Sequence, residues 1–238
     1  MKSLLIEEDA SNERSGSRLR SIGTKVLLNV IYPACVIVPT VSIVSACASN
    51  GMDSLYTWHV LLTGIGFHLL MPVGISILCG QQTIFRPSAC TTPRRTLHWM
   101  LQSVAGACVL AGTVLQYINR EMKHKHHVVS VHSAVGLASV VLVGVGLVSG
   151  SVALYGRELR SCLSPLWLYR WHRAVGVVAF STGLVSLTIA YDKHIFADIF
   201  SAEMRIFAKI VTAITGLISL FGTLRKTHTY LSDSCNTR

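Results

Sequence analysis

The residues best equipped for chemistry in this sequence are its ten histidines. Five of them, His59, His68, His98, His132 and His172, lie in or at the edges of long apolar runs. An ionisable side chain inside a membrane is costly and is kept for function by default. Four of the five share a position: His59, His98, His132 and His172 each sit near the start of one of four successive apolar segments. Consecutive membrane helices run in opposite directions. His59 and His132 are therefore expected near one face of the bilayer, and His98 and His172 near the other. Two neutral imidazoles facing each other inside a bundle suit axial ligation of a haem iron. With both axial positions filled there is no open site for oxygen, which leaves electron transfer. Pairs lying a turn inside each face of a bilayer would put two irons on the order of 20 Å apart. The same histidines have rival uses. A haem-free transporter or channel would line a proton or metal path with them, and a purely structural protein would use them at helix contacts.

The other histidines fit this plan less well. His68 follows His59 by nine residues, which places it about 13 Å deeper along a helix; it reads as an interior polar residue without iron. His124, His126 and His127 crowd one polar loop. They read as a solvated interfacial cluster, or as a weak landing site for iron or copper, which imidazole suits. His194 and His228 fall in a loop and a tail and read as solvated.

The elements that must carry these residues follow from composition. Of 238 residues, 51% are hydrophobic and only 13% charged, against about 25% charged in soluble domains. Most of the chain therefore does not meet water, and at roughly 20 residues per span the length allows six. The apolar segments cover about 26–47, 54–78, 93–117, 129–154, 165–191 and 205–224. The fold class is an all-α integral membrane protein of six transmembrane helices, with helices two to five forming a four-helix, di-haem core. Residues 1–25 read as a solvated N-terminal tail, 26–224 as one transmembrane domain and 225–238 as a C-terminal tail. Pro33 and Pro39 are expected to bend the first span, which packed membrane helices tolerate. Asp53 or Ser54 can cap the second helix. Thr92-Pro93 and Ser164-Pro165 each read as a capping residue followed by proline at the first helical position. Glycines recur in helices two, four and five, among them Gly64, Gly66, Gly136, Gly144, Gly146, Gly150, Gly176 and Gly183. They serve either close helix packing or room for a flat cofactor.

A net charge of +10 would suggest nucleic acid in a soluble protein. Here the charges lie in loops and tails and read as topology signals. Lys and Arg are more frequent in the tails and the loops carrying Arg86, Arg94, Arg95, Arg157, Arg160 and Arg170 than in the opposite loops. Both termini are therefore expected in the cytosol. Seven scattered cysteines with no CxxC pair form no disulfide framework. The short loops and the lack of a glycine-rich fingerprint after a strand argue against a flavin or nicotinamide reductase.

Trp58-His59, Leu97-His98-Trp99, Ser130-Val131-His132-Ser133 with Gly136, and Trp171-His172 with Gly176 together resemble the cytochrome b561 family. The likeness is greatest to its short animal branch, the cytochrome b561 domain-containing transmembrane reductases, and covers about residues 26–225. The resemblance implies two haem b groups per chain, the non-cytosolic one held by His59 and His132 and the cytosolic one by His98 and His172. It implies that cytosolic ascorbate gives one electron, and that monodehydroascorbate or ferric iron receives it across the membrane. The membrane expected is the endoplasmic reticulum or another endomembrane, and a homodimer is left open. Two features depart from the family pattern. Val60 stands where members often have proline after the helix-two histidine. The basic residues near the cytosolic pair, Arg94, Arg95 and Arg170, stand at other offsets than the ascorbate-contacting ones, and Thr92 and Thr96 occupy places expected for lysine. A cationic patch still suits an ascorbate anion, although arginines there also serve simple positive-inside anchoring.

Overall fold

A chain in lipid must satisfy its backbone polar groups internally, and a helix does so within one segment. The computed structural model follows that rule. It describes residues 18–19, 21–80, 91–156, 158 and 164–236, with side chains up to residue 224. Among the described residues there is no strand. Those residues include six helices long and apolar enough to cross a bilayer: α1 (Ser21–Asn50), α2 (Leu55–Leu78), α3 (Arg94–Met122), α4 (Val131–Leu154), α5 (Pro165–Ala190) and the apolar part, Ala202–Leu224, of the last helix. A short helix, α6 (His194–Ala197), bridges α5 and that last helix, α7, which runs Ala202–Asn236. We call the face where α1 begins proximal and the opposite face distal. Helical structure thus starts before residue 26 and continues past residue 224, so helices cross both expected tail boundaries.

Helix starts follow side-chain chemistry. Ser54, rather than Asp53, caps α2, its hydroxyl accepting the Tyr56 N–H at 3.2 Å. Ser130 and Ser133 form a reciprocal capping box at α4. Ser164 precedes Pro165 at the first position of α5, as expected. At α3 the expectation shifts by one residue. Pro93 itself is the cap: its backbone is extended (ψ 140°), its carbonyl accepts the Leu97 N–H at 3.1 Å, and the helix begins at Arg94. A residue before proline is pushed to extended backbone, so Thr92 cannot aim the first helical carbonyl once Pro93 stays extended too. The helix also outruns its apolar stretch at the other end. No glycine or proline stops it after Tyr117, and it ends at Met122, just before Lys123 and a left-handed His124 (φ 49°).

Two stretches of wider, π-type helix interrupt the spans, at Leu27–Ile31 and Ile65–Leu70. Each lies just ahead of a proline, Pro33 or Pro72. Proline lacks an N–H and its ring clashes with the carbonyl four residues back. That carbonyl belongs to Asn29 in one case and to His68 in the other, and the wider turn absorbs the mismatch.

The core helices associate in two close pairs, α2 with α3 and α4 with α5, which then face each other. The first and last spans pack on one another and against α2. There Tyr32 donates to the Pro72 carbonyl at 2.8 Å and meets Ser219 at 3.0 Å, and Thr215 donates to the Cys35 carbonyl at 3.0 Å. Interhelical hydrogen bonds in membranes average about 0.6 kcal/mol, so close packing carries most of the association. Gly183 is its tightest point: a Cβ there would lie 2.0 Å from the Phe67 ring. The outer faces of α3 and α4 expose Val104, Leu110, Val114, Val141, Val145 and Val148, as lipid-facing surfaces do.

Candidate functional site

The four histidines at helix starts share one hydrogen-bond arrangement. His59 Nδ1 lies 3.0 Å from the Gly112 carbonyl and His98 Nδ1 3.1 Å from the Gly74 carbonyl, so α2 and α3 exchange bonds. His132 Nδ1 lies 3.0 Å from the Ser186 carbonyl and His172 Nδ1 3.1 Å from the Gly146 carbonyl, so α4 and α5 do the same. A carbonyl only accepts, so each Nδ1 carries the proton and each Nε2 keeps its lone pair. This is how a metal-binding histidine is fixed in tautomer and orientation by a bond on its other nitrogen.

Those bonds run within the helix pairs, whereas the rings meet between them. The His59 and His132 ring centres are 6.5 Å apart with planes at 76°, and those of His98 and His172 are 6.4 Å apart at 79°. With metal–imidazole bonds of about 2 Å, two imidazoles on opposite sides of one iron have ring centres about 6.3 Å apart. Both pairs match that spacing, and all four rings are only partly exposed.

Register links the two pairs. On α3, α4 and α5 the histidine and the carbonyl that holds its neighbour's histidine are fourteen residues apart: His98 and Gly112, His132 and Gly146, His172 and Ser186. That is about 21 Å of helix, consistent with the separation expected from the sequence. On α2 the spacing is fifteen, His59 to Gly74. The π segment Ile65–Leu70 lies between them and absorbs the additional residue. In the sequence only Pro72 marks this segment.

The glycines divide between both expected uses. Gly64, Gly66, Gly150 and Gly183 are packed, a Cβ on Gly150 falling 2.8 Å from His172 Cε1. Gly144 and Gly176 face open space. Gly144 lines a groove with Val141, Val145, Val148, Ser149 and Trp171, and the Ser149 hydroxyl is 3.3 Å from His172 Nδ1. An apolar groove beside a histidine pair suits the edge of a flat macrocycle. The residues present fit haem at both pairs.

The tentative donor residues gather on the proximal face. Arg94, Arg95 and Arg170 are all exposed. Arg95 stands 5.8 Å over the Tyr169 ring, joining the starts of α3 and α5, whereas the Arg94 guanidinium lies against Gly80 at the end of α2. His68 is fully buried, as expected of an interior residue; its Nε2 lies 3.1 Å from Thr212 Oγ1, which lies 3.3 Å from the Tyr191 hydroxyl. Tyr191 follows the last residue of α5, and burial pushes its phenol up to about 12. On the distal face the histidine cluster is more ordered than a solvated loop. His127 pairs with Glu121 at 2.6 Å and stacks on Tyr117, and Arg120 holds the His126 carbonyl. Among the described residues no group of three His, Cys, Asp or Glu could hold a metal ion. His194 is exposed, but its ring stacks on Tyr56, which sequence reasoning did not single out. Cys35, Cys47, Cys79 and Cys108 are free thiols; Arg86, Cys90, Arg157, Arg160 and Cys162 lie outside the described residues, as do the side chains of His228 and Cys235.

The sequence profile of the eukaryotic cytochrome b561 family matches residues 58–197, which include all four histidines. The chain belongs to that family. Cytochromes b561 bind haem b, and this one is a multi-pass membrane protein for transmembrane electron transfer. The cytochrome is 29% identical over 167 residues to the transmembrane reductase CYB561D2 of Bos taurus, covering 70% of this chain and 74% of that one. It is 28% identical over 167 residues to the Homo sapiens protein of the same name, with the same coverage. With the Mus musculus one it shares 31% over 138 residues, 58% of this chain and 61% of that one.

Proposed function

We propose that this cytochrome is a transmembrane reductase that carries electrons through two bis-histidine b haems, from cytosolic ascorbate to monodehydroascorbate or ferric iron on the other side. The observation that carries the reading is the fourfold Nδ1–carbonyl arrangement with ring centres 6.4 and 6.5 Å apart. A haem-free transporter gives no reason for four histidines to be held alike. The relatives' name, transmembrane reductase, agrees with this reading.

His98 and His172 would hold a haem on the proximal, cytosolic side, and His59 and His132 one on the distal side. Bound haem b supplies a one-electron centre at each pair. The Gly112, Gly74, Ser186 and Gly146 carbonyls hold the four rings, keeping Nε2 unprotonated and limiting reorganisation as charge passes. Arg94, Arg95 and Arg170 draw ascorbate, an anion, to the proximal face. Ascorbate loses one electron and one proton there. Monodehydroascorbate gains one of each at the distal face, whereas ferric iron gains only the electron. The same orientation places the residue 1–25 and 225–238 tails in the cytosol.

Vesicles loaded with ascorbate and carrying the protein, with ferric citrate outside, test the reading. We expect ferrous iron to form outside at a rate proportional to protein, and not to form with His132→Ala. Rates no greater than in protein-free vesicles would overturn it.

A further inference from the structure

The distal histidine pair is linked to the surface by a set of residues with no role so far. Tyr56 stands one helical turn before His59, and their ring centres are 6.4 Å apart at 29°. On its other side Tyr56 stacks with His194, at 4.9 Å and 14°. His194 is exposed, so the three rings form a continuous column from the pair to water. The segment carrying His194 is anchored: Ile195 and Phe196 are each 1% exposed, and the Phe196 N–H donates to the Lys193 carbonyl at 2.9 Å.

Lys193 completes the group. Its side chain is half-buried, and it directly precedes His194. The adjacent carboxylate is already occupied: Asp192 takes Lys209 at 2.7 Å through both oxygens and Arg205 at 3.4 Å. Among the described residues no carboxylate pairs with the Lys193 ammonium. An ammonium that no described carboxylate pairs with, next in sequence to an exposed imidazole stacked on the Tyr56 ring, is what a small anion needs.

We propose that Tyr56, Lys193 and His194 form the docking site for an anionic one-electron acceptor on the distal face. The site deepens the function proposed above and rests on it. Lys193 binds the acceptor's negative charge, His194 contacts it beside the Tyr56 ring, and the column shortens the distance the electron crosses. The electron balance is simple. The haem that His59 and His132 would hold would supply the one electron that the acceptor takes up. A ferric chelate becomes ferrous with no proton, and monodehydroascorbate also takes a proton from solvent to give ascorbate. Both acceptors share anionic oxygen donors, and the test separates them.

The experiment uses the full chain with haem. After reduction, re-oxidation is followed by stopped flow with ferric citrate, with monodehydroascorbate and with cationic hexaammineruthenium(III). Haem per chain is counted in every variant. We expect Lys193→Gln and His194→Ala to raise the half-saturating concentration of the anionic acceptors about 5-fold or more, a difference of about 1 kcal/mol. The ruthenium cation should lose nothing in Lys193→Gln. A shift confined to ferric citrate or to monodehydroascorbate supports the site and names its acceptor. A second readout needs no turnover. Gallium(III) citrate, which cannot be reduced under these conditions, should protect His194 from carbethoxylation, read by peptide mass spectrometry, and should fail to do so in Lys193→Gln. Wild-type kinetics with both anions in both variants would overturn the proposal, as would absence of protection. Loss of one haem in Lys193→Gln would also overturn it, by assigning the ammonium to the cofactor. Wild-type protein without haem would instead sink the function proposed above, and the protection assay would still decide the anion site.

Discussion

The two ends of the core hold their histidines alike and surround them differently. At each end the ring centres lie 6.4–6.5 Å apart and each Nδ1 donates to a carbonyl of the paired helix. The distal pair leads through Tyr56 to the exposed His194 imidazole, next in sequence to Lys193, whose ammonium pairs with no carboxylate among the described residues. The proximal pair is flanked by exposed Trp99, Trp167 and Trp171, with the last two stacked at 6.0 Å, and has nearby an arginine held over Tyr169. Tryptophans at such a depth form an interfacial belt. The internal bonds hold both pairs alike, so on the proposed function direction and substrate choice would come from the loops and helix starts outside them.

Breaking one end should leave the other standing. We expect His132→Ala to lose one haem of two and all transmembrane flow, with the proximal haem still reduced by ascorbate. His98→Ala should lose the other haem and ascorbate reduction with it. Haem counting and visible spectra of the two variants distinguish the ends; loss of both haems in each would show that the sites fold as one unit. A milder break is Gly150→Ala, whose Cβ would lie 2.8 Å from His172 Cε1. Overpacking of this kind costs about 1–3 kcal/mol. We expect the proximal spectrum to shift or its haem to bind more weakly, with the distal spectrum unchanged, as titration with haemin would show. Smaller again is Arg95→Gln, which removes a cation from the proximal face only. Ascorbate reduction should slow about 3- to 10-fold at low salt and converge with wild type at high salt, since exposed charges are screened. Deletion of His68 should matter least to both ends. It brings the α2 spacing to the fourteen residues seen in the other core helices, so both haems should remain, at a cost in thermal stability from the lost Thr212 bond of about 1 kcal/mol. Loss of both haems on that deletion would show that the additional residue sets the register.

Much of this was legible in the sequence because it depends on helix direction and hydropathy. Six apolar runs and histidines at four successive starts were enough to pair His59 with His132 and His98 with His172. The capping serine Ser54 and the Ser164-Pro165 start of α5 are legible because cap chemistry and proline's fixed backbone are local. What stayed hidden depends on contacts across the chain. The carbonyls of Gly112, Gly74, Ser186 and Gly146 carry no side-chain signal, and any residue offers one. The π segment at Ile65–Leu70 leaves hydropathy unchanged, and only Pro72 marks it. His194 read as solvated because nothing in a loop sequence shows that Tyr56, over a hundred residues earlier, will stack beneath it. Polar residues after Tyr117 suggest an end to α3 that the helix runs past, to Met122, because polarity alone does not stop a helix.

The most direct measurement is the reduced-minus-oxidised visible spectrum of the purified protein with haem quantified per chain, in wild type and in His132→Ala. We expect two b-type haems in the wild type, at least partly reduced by ascorbate before dithionite, and one in the variant. Two haems in both proteins, or none in the wild type expressed with ample haem, would contradict ligation by the four histidines.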